Sequence, residues 1–111
     1  MHLITQSVYQ RIWAQVLLIY TLDNYLTEEE CDYFIELSKN KLTRAYVSDN
    51  KKGYISSGRT GSNCWIAHNF SEKTKKVGDR IANEVNHPLE NAERFQIIYY
   101  GKTQEYRRHY D

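Results

Sequence analysis

At 111 residues the chain is long enough for one domain with a modest core and too short for two. Hydrophobic residues make up 41% and charged residues 26%, the balance of a folded chain rather than a disordered one. A net charge of +1 supplies neither a basic stripe for nucleic acid nor a polybasic block for a membrane, so neither is an expected partner.

The first apolar run is Ile12-Trp13-Ala14-Gln15-Val16-Leu17-Leu18-Ile19-Tyr20. It is far short of the ~20 residues a membrane helix requires. Gln15 interrupts it and no small-x-small cleavage site follows, so it makes a poor signal peptide. The expectation is a buried strand after a loosely specified lead-in, in a chain with a cytoplasmic location. Asp23-Asn24 forms a turn. Thr27 then caps a helix, Glu30 completes a capping box, and Leu26 and Cys31 sit where a hydrophobic staple would. Glu28, Glu29 and Glu30 suit the positive end of the helix dipole and read as a solvated first turn. Cys31, Phe34, Ile35 and Ser38 mark one face, and the spacing carries the helix to about Asn40.

Ala45-Tyr46-Val47 predicts a short strand and Asp49 to Gly53 a polar turn. Strand-forming residues recur from Ser56 to His68, around Thr60 and Cys64-Trp65-Ile66, broken by Gly58 and Gly61. Ser71 opens a second helix, with Val77, Ile81, Ala82 and Val85 on one face, ending before Pro88. Phe95 to Tyr100 reads as a strand, Gly101 to Gln104 as a turn and Glu105 to Asp111 as a last strand. That order implies an α+β fold, with helices packed on one side of a largely antiparallel sheet. Cys31 and Cys64 lack CxxC or Cys/His metal spacing and read as buried free thiols in a reducing compartment.

The chemistry-bearing motif is the terminal Tyr106-Arg107-Arg108-His109-Tyr110-Asp111. On a strand, residues i and i+2 share a face, so His109 and Asp111 can aim an imidazole nitrogen and a carboxylate oxygen at one ion. One further histidine would complete the two-His-one-carboxylate triad that leaves open positions on iron(II). Read alone, a His-x-Asp pair is also what a polar strand carries by chance. Tyr100 likewise reads as a core tyrosine, Arg59 as a surface charge, Trp65 as core, and His68 and His87 as exposed or capping residues.

Context adds to the motif. From Tyr20 onward, "IYTLDNYLTEEECDYFIELS", "SSGRTGSNCWI" and "VGDRIANEVNHPLENAERFQIIYYGKTQEYRRHYD" resemble, in that order, stretches of the prolyl 4-hydroxylase family. These are iron(II)- and 2-oxoglutarate-dependent dioxygenases. The resemblance implies that residues 20–111 are the N-terminal half of such a catalytic domain, the first part of a double-stranded β-helix (jelly-roll), preceded by a lead-in segment and first strand at residues 1–19. It implies His109 and Asp111 as the first two iron ligands and Tyr100 as the residue whose hydroxyl meets the distal carboxylate of 2-oxoglutarate. Tyr106 matches a tyrosine at the proline-binding position, and Arg59 and Thr60 match the substrate-side loop. Gly61 stands where the family usually has serine, with Ser62 one residue later.

The activity so implied is hydroxylation of peptidyl proline at C4, with 2-oxoglutarate and oxygen converted to succinate and carbon dioxide and with ascorbate rescuing oxidised iron. The family's distal histidine and its carboxylate-pairing lysine lie beyond its His-x-Asp motif. The expectation is therefore a fragment lacking the C-terminal half, inactive by itself, whose intact form acts on a proline-containing peptide or protein. Two other readings remain open: a non-catalytic peptide-binding remnant, and a related oxygenase with a different substrate.

Overall fold

The computed structural model describes the backbone of residues 2–11, 15–48 and 53–110. The expected turn at Asp49 to Lys52, part of the apolar run at Ile12 to Ala14, and Asp111 lie outside the described residues. The chain begins with an antiparallel hairpin of β1 (His2–Arg11) and β2 (Gln15–Asp23). The strand expected in the apolar run is present as β2. It has a partner in the lead-in, however, and Ile19 is 58% exposed rather than buried.

Helix α1 (Glu28–Ser38) starts as the sequence requires. The Glu30 amide donates to the Thr27 hydroxyl at 3.1 Å and the Thr27 amide donates to the Glu30 carboxylate at 3.0 Å, so two of the four orphan amides are satisfied reciprocally. Phe34 and Ser38 are buried on its inner face. Ile35 was expected on that face but is 54% exposed. It sits about 100° round the helix from Phe34, which puts it on the rim of the core.

Helix α2 (Glu72–Val85) has the same device, with Ser71 and Thr74 exchanging amide-to-hydroxyl bonds of 2.9 and 3.2 Å. Thr74 is fully buried, and its hydroxyl lies 2.9 Å from the carbonyl oxygens of both His68 and Ser71. Asn86 ends the helix in the left-handed region, two residues before Pro88.

The expected strand at Ala45 to Val47 is split. Thr43–Arg44 (β3) and Val47–Ser48 (β4) flank a buried Ala45, whose amide donates to the Gly61 carbonyl at 3.0 Å. β4 pairs with Gly53–Tyr54 (β5), and β3 pairs with Ser62–Ile66 (β6), which pairs in turn with Phe95–Tyr99 (β7). The architecture is thus α+β, with a three-stranded antiparallel sheet ordered β3-β6-β7 and two helices. Alternation along β6 and β7 turns Cys64, Ile66, Phe95 and Ile97 toward the helices, where they meet Leu26, Phe34 and Val77. The Phe34 and Phe95 rings meet edge-on at 5.1 Å. Burying a side chain such as Phe34 contributes about 1.5–3 kcal/mol.

Helix is clamped to helix at one end of the core. Arg80 donates to both Glu30 carboxylate oxygens at 2.9 and 2.7 Å, and the Tyr25 hydroxyl donates to the Arg80 carbonyl at 2.9 Å. No helix among the described residues is long and apolar enough to cross a membrane.

The last expected strand, Glu105 to Asp111, does not form among the described residues. Gly101 to Gln104 turns tightly, with Thr103 at a φ of 69°, and the segment beyond makes one isolated bridge, Arg59 to Tyr106. Arg107 and Arg108 give it no apolar face for a sheet to bury, so nothing fixes an extended register.

Candidate functional site

The site is built where residues 58–60 meet residues 105–107. The Thr60 amide donates to the Glu105 carbonyl at 2.8 Å, the Glu105 amide donates to the Thr60 hydroxyl at 2.8 Å, and the Arg107 amide donates to the Gly58 carbonyl at 2.8 Å. These bonds replace the missing strand ladder and hold two loops side by side. Thr60, expected to face substrate, therefore has its hydroxyl engaged by the Glu105 backbone.

Three side chains stack on this frame. The imidazole of His109 lies over the Tyr106 ring at 3.7 Å between centroids and 10° between planes, and the Arg59 guanidinium carbon stands 4.4 Å from the same ring centre. Two groups that close cannot share one face, so Tyr106 is sandwiched between cation and imidazole. A planar guanidinium over an aromatic face is an arrangement that arginine makes and lysine does not. Arg59 is anchored by donation from Nη1 to the Tyr46 carbonyl at 2.7 Å. Its Nε is enclosed and has no acceptor among the described residues. An enclosed donor of that kind is costly and calls for a partner. Arg44 braces the loop from beneath, donating to the Arg59 and Ser56 carbonyls at 3.3 and 3.0 Å.

His109 Nδ1 lies 2.7 Å from the Arg107 carbonyl oxygen. A carbonyl can only accept, so Nδ1 is the donor in this contact, which in a neutral imidazole leaves the lone pair on Nε2. That is the tautomer a metal-ligating histidine takes, with its other nitrogen held by a backbone oxygen. The donor chemistry at His109 therefore fits an imidazole ligand. Asp111 lies outside the described residues, and the period-two argument that paired it with His109 does not apply where no strand runs. Among the described residues no three His, Cys, Asp or Glu side chains gather to hold a metal.

Tyr100 follows β7 directly and is 41% exposed. Its ring packs against Gly61, the residue next to Thr60. The structure thus brings Arg59, Thr60, Tyr106 and His109 together, with Tyr100 attached to the same loop through Gly61. Sequence reasoning missed Arg44 and the Gly61–Tyr100 contact. Arg44 gave no signal, whereas Gly61 was visible as a departure from pattern. A groove of about 410 Å³ runs along α1, α2 and β7, lined by apolar residues including Ile35, Ile81 and Ile98.

No protein-family model matches the chain. Individual proteins do. It is 34% identical over 106 residues to "Probable prolyl 4-hydroxylase 7" of Arabidopsis thaliana, covering 94% of this chain and 33% of that protein. It is 34% identical over 90 residues to "Probable prolyl 4-hydroxylase 10" of the same plant, covering 79% and 31%. It is 32% identical over 101 residues to "Prolyl 4-hydroxylase 5", also from Arabidopsis, covering 89% and 34%. The chain spans about a third of the length of these curated relatives.

Proposed function

We propose that this chain, which belongs to the prolyl 4-hydroxylase family, forms the substrate-side half of a peptidyl-prolyl 4-hydroxylase domain and supplies two of its iron ligands. The observation that carries the reading is the stack of Arg59, Tyr106 and His109. It joins the substrate-side loop, a proline-site tyrosine and an iron-ligand histidine in one contact, as the family pattern requires of residues far apart in the chain.

The proposed ligands are His109, through Nε2, and Asp111. Bound iron(II) and 2-oxoglutarate supply the oxidising power for proline hydroxylation, and ascorbate keeps the metal reduced. What the chain itself contributes is binding and orientation. The Arg107 carbonyl holds the His109 proton on Nδ1. Tyr100 donates its hydroxyl to the distal carboxylate of 2-oxoglutarate. Arg59 offers the donor face of the loop to a peptide. Tyr106 has both ring faces covered, so it meets a substrate proline with its edge. Thr60 acts on substrate indirectly, by fixing the Arg59 loop against Glu105.

The three-stranded sheet and its two helices are proposed as the first part of a double-stranded β-helix. The 111 residues alone are proposed to be inactive, because a facial triad needs a third protein ligand. A cytoplasmic setting belongs to the same proposal and is supported by the free thiols of Cys31 and Cys64.

The test is to complete the chain with the remaining length of an Arabidopsis relative and assay 2-oxoglutarate decarboxylation with a proline-rich peptide. Turnover that requires the peptide supports the reading. Turnover that ignores it and responds to another substrate sinks the prolyl assignment.

A further inference from the structure

Gly61 is buried immediately before β6, and its carbonyl is held by the Ala45 amide at 3.0 Å. The register that pairs Ser62 with Tyr99 continues outward to set Gly61 opposite Tyr100. A Cβ placed on Gly61 would lie 2.6 Å from Tyr100 Cε1, 2.7 Å from Tyr100 Cδ1 and 3.0 Å from the Tyr99 carbonyl oxygen. Carbon atoms in contact stand about 3.5–4.0 Å apart. No glycine of the described residues has a positive φ, so the backbone at Gly61 would accept any residue. The space is what demands glycine. An aromatic ring covering the bare backbone of a cross-strand glycine is a known way of stabilising a sheet at such a position.

We propose that Gly61 is a positioning residue for Tyr100, and through that tyrosine for the carboxylate of the cosubstrate; the inference rests on the role given to Tyr100 above. The Tyr99 oxygen is backbone and cannot yield, so any side chain at position 61 drives the Tyr100 ring out of its seat. Serine, the residue that the resembling family has here, would not fit beneath the Tyr100 ring as it is placed in this chain. Gly61 and Tyr100 are therefore a matched pair in this chain. They tie the loop bearing Arg59 and Thr60 to the residue that recognises 2-oxoglutarate.

The experiment uses the completed chain described above, with Gly61→Ala, Gly61→Ser, Tyr100→Phe, Tyr100→Ala and the double variant Gly61→Ala/Tyr100→Ala. Three quantities are read: 2-oxoglutarate affinity by calorimetry, the nuclear Overhauser contact between the Gly61 Hα protons and the Tyr100 ring, and the melting temperature. The native protein should show the contact. Tyr100→Phe should keep it while weakening 2-oxoglutarate roughly ten- to a hundredfold. Both Gly61 variants should weaken 2-oxoglutarate by a similar factor and raise the peptide KM less. Gly61→Ala should lower the melting temperature clearly when Tyr100 is present and much less in the Tyr100→Ala background, where only the 3.0 Å approach to the Tyr99 oxygen remains.

Equal destabilisation in both backgrounds would overturn the proposal, since the cost would not come from Tyr100. So would Gly61 variants that bind 2-oxoglutarate normally while Tyr100→Phe binds it weakly. Normal binding by Tyr100→Phe would instead remove the cosubstrate role of Tyr100. The Overhauser contact and the melting cycle would then report on the seat alone.

Discussion

Replacing Glu30 by glutamine isolates the charge in the clamp between α1 and α2. Glutamine keeps the oxygen that accepts from the Thr27 amide, so the capping box survives, while the ion pair with Arg80 is lost. The two side chains are largely enclosed, at 17% and 31% exposed, and the pairing is bidentate. Donation from Arg80, helped by the Thr27 amide and opposed by burial, holds the Glu30 carboxyl down from 4.5 to about 2. That displacement is equivalent to roughly 3 kcal/mol. Part of it belongs to the Thr27 bond that glutamine retains, so the expected loss near neutral pH is about 2 kcal/mol. A depressed carboxyl stabilises the fold above its ordinary value and loses that contribution as pH falls through the folded one. The difference in stability between the native protein and the Glu30→Gln variant, measured by urea denaturation, should therefore be full above about pH 5 and shrink steadily toward about pH 2. A difference that persists unchanged at low pH would show that the substitution acts through packing or the cap. No difference at neutral pH would show that desolvation cancels the pair.

Thr74→Val preserves shape but leaves the Ser71 amide without its acceptor in a fully buried site, and should lower stability by about 1–3 kcal/mol in urea denaturation. In the completed chain, Tyr106→Ala should raise the peptide KM and loosen Arg59, whereas Tyr106→Phe, which keeps the ring, should change it little. Arg59→Lys keeps the charge but loses the planar stack and the forked donors, so peptide affinity should fall nearly as far as in Arg59→Ala; full rescue by lysine would mean that only charge matters. These effects are read as KM against kcat for peptide at saturating 2-oxoglutarate.

Local rules made most of the fold legible. Thr27 and Glu30 announce α1 by residue type and spacing, and Ser71 with Pro88 brackets α2. Phe95 to Tyr100 reads as a strand because its mostly apolar run has the length of one, and β7 ends one residue short of it. Long-range partners were not legible. Nothing in Ala45 to Val47 says that Ala45 is tied to Gly61, so one expected strand became two short ones. Ile35 lies one residue off the buried stripe, a rotation that composition cannot resolve. At the site, the resemblance gave the residues, while the strand period spoke only to His109 and Asp111 and said nothing of Arg59 or Tyr106. Arg59, Tyr106 and His109 meet because the Gly58 to Thr60 loop bonds to the Glu105 to Arg107 backbone. The closeness of Gly61 to Tyr100 is a steric fact, visible only once the two strands are paired.

The central claim is that His109 is an iron ligand of a 2-oxoglutarate-dependent prolyl hydroxylase and that the ligand set is completed outside these residues. It is tested most directly by measuring 4-hydroxyproline formation in a proline-rich peptide, with iron(II), ascorbate and 2-oxoglutarate. The chain alone is compared with the chain supplemented by the separately expressed remaining part of a relative, with and without His109→Ala. The account predicts no product from the 111 residues, product when the second part is added, and its loss with His109→Ala. Product from the chain alone, or product that survives His109→Ala, would contradict it.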